Sequence, residues 1–258
     1  MEPTDSAPDP RSQRTEEQGA RRESRPAVVQ RPPELTPVQV AEREVANGLR
    51  QFDRVVELIS AFLAQPPGTT VRLRPSAVMD LNRLAVDGLV PRPGSYRDGP
   101  IEILGGSFHT PPPHVEVPRL VEEMCDYVTE KWTTSSALHL SAFLQWRLNW
   151  IHPFADGNGR TSRAVAYYVL CAKMGYRLPG KKTIPERIAE NKRAYYKALD
   201  RADSAWKKNL VDVGDMETLI STLLADQLLD VFHAAAGRKE AEPQAVPSSG
   251  VSGWGGLD

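Results

Sequence analysis

The chain has 258 residues, 40% of them apolar, with 32 Lys and Arg against 33 Asp and Glu and a formal net charge of −1. A balance this close to neutral excludes bulk attraction to nucleic acid or to an anionic membrane surface, and no apolar run approaches the roughly 20 residues that a spanning helix needs. The length suits one medium domain with tails.

Residues 1–34 are rich in Pro, Ser, Glu and Arg. Such a segment buries too little apolar surface to offset its ordering entropy, so the expectation is a solvated tail. It has no basic stretch leading into an apolar one, as a secretory signal would. The expected location is the cytoplasm, with leaderless secretion as the alternative. The domain proper is expected over 35–236, opening with a helical segment at 35–65. There, in "TPVQVAEREVANGLRQFDRVVELISAFL", Thr36 is an N-cap candidate, Pro37 suits the first helical position and Gln39 completes a capping box. Asn47-Gly48 is the place to expect a break or kink. A second helix is expected over 76–86, ending at Gly88.

The stretch 92–113 reads differently. "PGSYRDGPIEILGGSFHTPPP" is punctuated by Gly and Pro around an "IEI" of strand character, which predicts a short hairpin projecting from a helical body, with a plain surface loop as the alternative. Beyond it, Val117, Leu120, Val121, Met124 and Val128 share one helical stripe. "SALHLSAFLQWRLNW" is apolar nearly all round, the mark of a buried central helix. Further helices are expected near 160–173, stopping at Gly175, then near 185–202 and 215–235. Cys125 and Cys171 fall inside helical apolar patterns and read as buried thiols. The end, 237–258, reads as a second tail, with Trp254 as its one aromatic residue. The fold class is mainly α, a helical bundle with a small β-hairpin.

Between two of those helices sits "HPFADGNGRTSR". Gly157, Asn158 and Gly159 tolerate positive φ, and successive amide N–H groups in such a turn converge into an anion-binding nest. The helix that follows adds its unpaired N–H groups and its dipole. Arg160 and Arg163, three apart, share a helical face, and two guanidinium groups over a nest of amides suit a di- or triphosphate. Asp156 beside a phosphate makes sense if a divalent ion such as Mg2+ lies between them. His152, at the mouth of the loop, can take a proton from an attacking hydroxyl.

The stretch resembles the Fic signature, His-x-Phe-x-Asp/Glu-Gly-Asn-Gly-Arg-x-x-Arg, at every specified position over 152–163. "PGSYRDGPIEILGGSFHTPPP" resembles that family's target-positioning flap, and "RIAENKRAYYKALDRAD" its downstream helix. The resemblance implies a Fic-type helical fold and a protein adenylyltransferase that moves AMP from ATP to a Ser, Thr or Tyr hydroxyl of a target protein. It implies His152 as general base, Asp156 as the Mg2+ ligand, and Gly157, Asn158 and Gly159 as the anion hole. Arg160 and Arg163 would engage the outer phosphates, Tyr195 or Tyr196 the adenine, with Asp203 nearby, and Ile101, Glu102 and Ile103 would hold the target.

Many relatives carry an inhibitory helix with Ser/Thr-x-x-x-Glu-Gly/Asn. Here "VAEREVANG" departs from it: Val40 stands four before Glu44, and Val45 follows. Glu44 facing Arg163 is the one candidate for that role, against a solvated helix-face glutamate; a separate inhibitor or antitoxin protein is the other route, and a homodimer is left open. The alternative chemistries are removal of AMP or transfer of another nucleotide or phosphate group, Gly159 speaking against the kinase-like branch that has Lys there. The alternative of another class is a non-catalytic binding module or a toxin–antitoxin partner.

Overall fold

The computed structural model describes residues 23–26, 35–104 and 109–237. Among them lie eight α-helices and two short strands: β1 (Glu23–Pro26), α1 (Pro37–Leu63), α2 (Pro75–Val86), β2 (Ile101–Leu104), α3 (Val117–Glu130), α4 (Ala137–Ile151), α5 (Asn158–Met174), α6 (Ile184–Glu190), α7 (Lys192–Trp206) and α8 (Gly214–Ala235). None of these helices is long and apolar enough to cross a membrane. The tail expected over 237–258 lies, from residue 238 on, outside the described residues.

The local signals in α1 behave as chemistry dictates. The Thr36 hydroxyl accepts from the Gln39 N–H (3.3 Å) and Gln39 Oε1 accepts from the Thr36 N–H (2.9 Å), closing a capping box ahead of Pro37. The break expected at Asn47-Gly48 does not occur. The Asn47 amide is buried and donates to the carbonyls of Asp87 (2.9 Å) and Ala85 (3.4 Å) at the end of α2. That tertiary bond removes the local competition by which Asn usually disfavours a helix interior, and α1 runs through.

Helix α4 is the axis of the molecule. Eleven of its 15 residues are buried, and it packs against α3, α5, α7 and α8. Burying an aliphatic or aromatic side chain contributes about 1.5–3 kcal/mol, so a helix apolar all round must be central. One charge rides inside it. The Arg147 guanidinium lies 4.3 Å from the Trp150 ring centre and 4.6 Å from that of Trp206 on α7. Burial pushes its pKa down to about 10, so it stays charged at neutral pH, and the indole faces supply attraction where water is absent. The second central helix, α5, packs on α1, α2, α4 and α6. The turn between α4 and α5 is the 152–157 loop, walled in by both.

The two strands form one small sheet. β2 forms where "IEI" reads as extended, but its partner among the described residues is β1, four residues of the segment expected to be a solvated tail. The pair is antiparallel, Glu23 opposite Leu104 and Pro26 opposite Ile101. No local hairpin within 92–113 is present among the described residues. The rest of the expected N-terminal tail, 1–22 and 27–34, lies outside them.

Candidate active site

Helix α4 ends because His152 turns left-handed, with φ 51° and ψ 58°, while its N–H still bonds to the Leu148 carbonyl (2.9 Å). For a residue with a side chain this conformation costs roughly 1–2 kcal/mol, a strain of the kind that gathers at functional loops. The imidazole is 3% exposed. Its Nδ1 lies 3.1 Å from the Asn149 carbonyl. A carbonyl only accepts, so Nδ1 carries the hydrogen, and in the neutral ring the lone pair is on Nε2. Asn149 is itself held by bonds from its amide to the Gln145 carbonyl (2.7 Å), Ser162 Oγ (2.8 Å) and the Tyr195 hydroxyl (2.9 Å).

The loop is then closed by side chains. Asn158 clamps Phe154: its Oδ1 accepts from the Phe154 N–H (3.0 Å) and its Nδ2 donates to the Phe154 carbonyl (2.8 Å). Its amide is thus a staple of the turn. Gly157 caps α5 at φ 77°. A Cβ there would meet Val86 Cγ1 at 2.6 Å and Asn82 Nδ2 at 3.0 Å, so both conformation and space require glycine. The Gly157 N–H donates to Asp156 Oδ1 (2.5 Å). In the first turn of α5 (Asn158, Gly159, Arg160) helix geometry leaves N–H groups without intrahelical acceptors.

The two arginines differ. Arg160 is shared among Asp156 Oδ2 (2.9 Å), the Ala85 carbonyl (3.2 Å) and Glu44 Oε1 (3.3 Å). Glu44, the candidate inhibitory residue, thus pairs with the first motif arginine, not with Arg163, and through an exposed contact. No hydrogen bond or ion pair to Arg163 occurs among the described residues, and burial lowers its pKa. Its Nη1 would stand 3.3 Å from a Cβ on Gly159, so the glycine leaves room for the guanidinium. Both arginines border a cavity of about 330 Å3 whose walls include Val45, Leu49, Phe52 and Tyr167.

Asp156 is the loop's one carboxylate. No group of three or more His, Cys, Asp or Glu side chains placed to hold a metal occurs among the described residues. A divalent ion here would draw most of its ligands from a bound phosphate and from water. A lone hard oxygen donor beside an anion site fits Mg2+, which keeps several waters and takes one or two carboxylates.

Tyr195, Tyr196 and Asp203 are buried residues of α7. Tyr195 is 1% exposed, and its hydroxyl bonds Asn149 and lies 3.3 Å from Ser162 Oγ. Asp203 is buried and accepts from Trp146 Nε1 (2.9 Å), and Tyr196 is buried beside Tyr195. The bonds of Tyr195 and Asp203 tie α7 to α5 and α4.

Two residues escaped the sequence reading. Asn82 on α2 donates to the Asp156 carbonyl (2.9 Å) and Thr161 Oγ1 (3.2 Å) while accepting from the Gly94 N–H (3.1 Å). Arg97, 7% exposed, spreads its guanidinium over the carbonyls of His152 (2.8 Å), Gly99 (2.9 Å), Pro112 (2.5 Å) and Ile151 (3.4 Å). The Arg97 N–H bonds the Pro153 carbonyl (2.8 Å), and Tyr96 bridges Phe154. At the far end His109 Nε2 donates to the Trp150 carbonyl (2.7 Å). The segment carrying β2 is therefore fastened at both ends to residues 150–154.

Residues 72–170 match the Fic/DOC family. The chain carries a Fic domain. It is similar to the protein adenylyltransferase Fic of Drosophila willistoni, at 29% identity over 134 residues, which are 50% of this chain and 25% of that protein. A probable protein adenylyltransferase of Aquifex aeolicus is 33% identical over 78 residues, 30% of this chain and 24% of that one. The match thus spans about a quarter of the length of the curated relatives. In fold the Fic domain resembles a Fic-domain signaling protein from Bacteroides thetaiotaomicron (TM-score 0.61, 21% identity, 77% of this chain and 74% of that one) and Fic-1 of C. elegans (TM-score 0.56, 18% identity, 81% and 55%). The fold expectation is met: a mainly α, Fic-type bundle.

Proposed function

We propose that this chain is a protein adenylyltransferase, moving AMP from ATP to a hydroxyl of a target protein, with Mg2+ bound at Asp156. The observation that carries the reading is Arg163. A partly buried guanidinium with no hydrogen-bonded or ion-paired anion among the described residues is a poor arrangement unless an anion binds, and it is the sixth residue of α5, a helix whose first N–H groups lack intrahelical acceptors. A triphosphate answers both. The protein adenylyltransferase relatives add support by likeness.

In the proposed step the target oxygen bonds to the α-phosphorus as its proton passes to His152 Nε2. The bond from that phosphorus to the β-phosphate oxygen breaks, and diphosphate leaves with the electron pair. Charge grows on the leaving group, where the amides of α5 and the guanidinium groups of Arg160 and Arg163 meet it without reorganising; one such donor is worth about 3–4 kcal/mol elsewhere. Asp156 would hold Mg2+, which would supply positive charge to neutralise phosphate oxygens. The His152 tautomer, set by the Asn149 carbonyl, keeps Nε2 the basic nitrogen. A target segment in extended form is taken up by β2, through main-chain bonds that read shape more than sequence.

The test uses ATP labelled at the α- or the γ-phosphate, with Mg2+ and a cell lysate. Adenylyl transfer predicts α-label alone on protein. γ-Label alone would make the chain a kinase and overturn the proposal.

A further inference from the structure

The cavity beside the two arginines has walls that a triphosphate does not use. Val45, Leu49, Phe52 and Val55 of α1, Ala164 of α5 and Pro185 of α6 line it. Phosphate oxygens gain nothing from such surface. We propose that the cavity binds an amphipathic carboxylate, an aliphatic chain with one anionic head, and that the head pairs with Arg163 and so excludes the outer phosphates of ATP. The exclusion of ATP rests on the adenylyl-transfer reading above; the binding does not.

Among the charged and amide side chains of the wall, one stands apart. The Gln51 amide donates to the Leu81 carbonyl (2.9 Å). Glu186 Oε2 accepts from the Thr183 N–H (2.6 Å) and from its hydroxyl (2.8 Å). Arg160 is divided among Asp156, Ala85 and Glu44. Arg163 has no such partner among the described residues. One cationic fork set in apolar walls suits a single carboxylate head on an apolar body.

Gly48 is the second feature. It lies inside α1 and borders the cavity. Glycine in a helix interior is destabilising relative to alanine, and a Cβ here would meet nothing within 4 Å. Packing does not require the glycine; what it provides is space in the wall. The third feature is shape. Along one face of α1, Val45 (66% exposed) and Leu49 (64%) give way to Val55 (2%), so the row runs from solvent into the core. The volume of about 330 Å3 equals roughly eleven water-sized groups at about 30 Å3 each, the size of an acid of about eight to ten carbons.

Octanoate is the probe, with acetate as the head without a chain and octanol as the chain without a head. Calorimetric titration of the full chain should show octanoate binding at least about tenfold tighter than either, and each pair of methylenes added from butanoate to octanoate should tighten binding roughly tenfold. Gly48→Leu fills the cavity with a residue of higher helix propensity. It should cut octanoate affinity at least about tenfold and leave ATP affinity unchanged. Arg163→Met should bring octanoate down to the level of octanol. Octanoate should also raise the apparent Kd of ATP in proportion to its own concentration. Equal uptake of octanoate and acetate, octanoate uptake unchanged in Gly48→Leu, or octanoate bound without effect on ATP would overturn the proposal. Loss of ATP binding in Gly48→Leu at an unchanged melting temperature would give the cavity to the nucleotide and overturn it as well. A wild-type chain that takes up octanoate but no ATP would keep the binding site and overturn the adenylyl-transfer reading instead.

Discussion

The Arg97 guanidinium donates to the main-chain carbonyl of His152 at 2.8 Å. One buried cation thereby ties the root of the flap to the residue proposed as base. Its counter-charges are carbonyl dipoles, and burial lowers its pKa. Replacing it with Met strands several carbonyls, each at a cost of about 1–3 kcal/mol, and frees the flap. Arg97→Met should lower the melting temperature and reduce transfer to protein more than it weakens ATP binding. Equal losses in transfer and binding would show that Arg97 serves only general folding.

Asn82 joins α2, the Gly94 turn, the Asp156 carbonyl and Thr161. Asn82→Leu keeps the volume and removes every bond. It should cut activity with a smaller change in stability than a core truncation gives. An unchanged rate would mean that the loop holds its shape through Asn158 alone.

Gly157→Ala forces a Cβ to 2.6 Å from Val86 Cγ1 in a left-handed turn. Strain of roughly 1–2 kcal/mol from conformation alone, plus the contact, should destabilise the chain and shift the first amides of α5. Differential scanning calorimetry and ATP titration would both register it. A variant with wild-type stability and affinity would contradict the packing described.

Glu44 meets Arg160 across 3.3 Å with its side chain 51% exposed. Exposed pairs are worth about 0–1 kcal/mol. Glu44→Ala should therefore raise activity by no more than about fivefold. A rise of about a hundredfold or more would mark Glu44 as a true autoinhibitory residue and require a stronger contact than this one.

Much of this architecture is legible in the sequence because its causes are local. The Thr36 capping box, the Val117–Val128 stripe, the apolar surround of α4 and the Gly175 stop each depend on neighbours within a few positions. The chemistry of 152–163 is legible for the same reason, since one loop contains its imidazole, carboxylate, glycines and guanidinium groups in order. What escaped depends on distant partners. Asn47 reads as a breaker until its amide finds Ala85 and Asp87, 38 and 40 residues on. Arg97 and Asn82 bond main-chain carbonyls, which carry no residue signature. β1 is four residues in a Pro- and Ser-rich stretch, too short for a period-2 pattern, and its partner lies more than 70 positions away. Tyr195 and Asp203 likewise bond at a distance, to Asn149 and to Trp146.

The central claim is that the 152–163 loop grips a magnesium–nucleotide while an oriented imidazole takes the proton. Its most direct test pairs calorimetric titration of ATP and Mg2+ with α-label transfer, for the wild-type chain and for His152→Ala. The account predicts that the variant binds ATP with nearly unchanged affinity and transfers at least about a hundredfold more slowly. Transfer at the wild-type rate without His152, or failure of the wild-type chain to bind ATP, would contradict it.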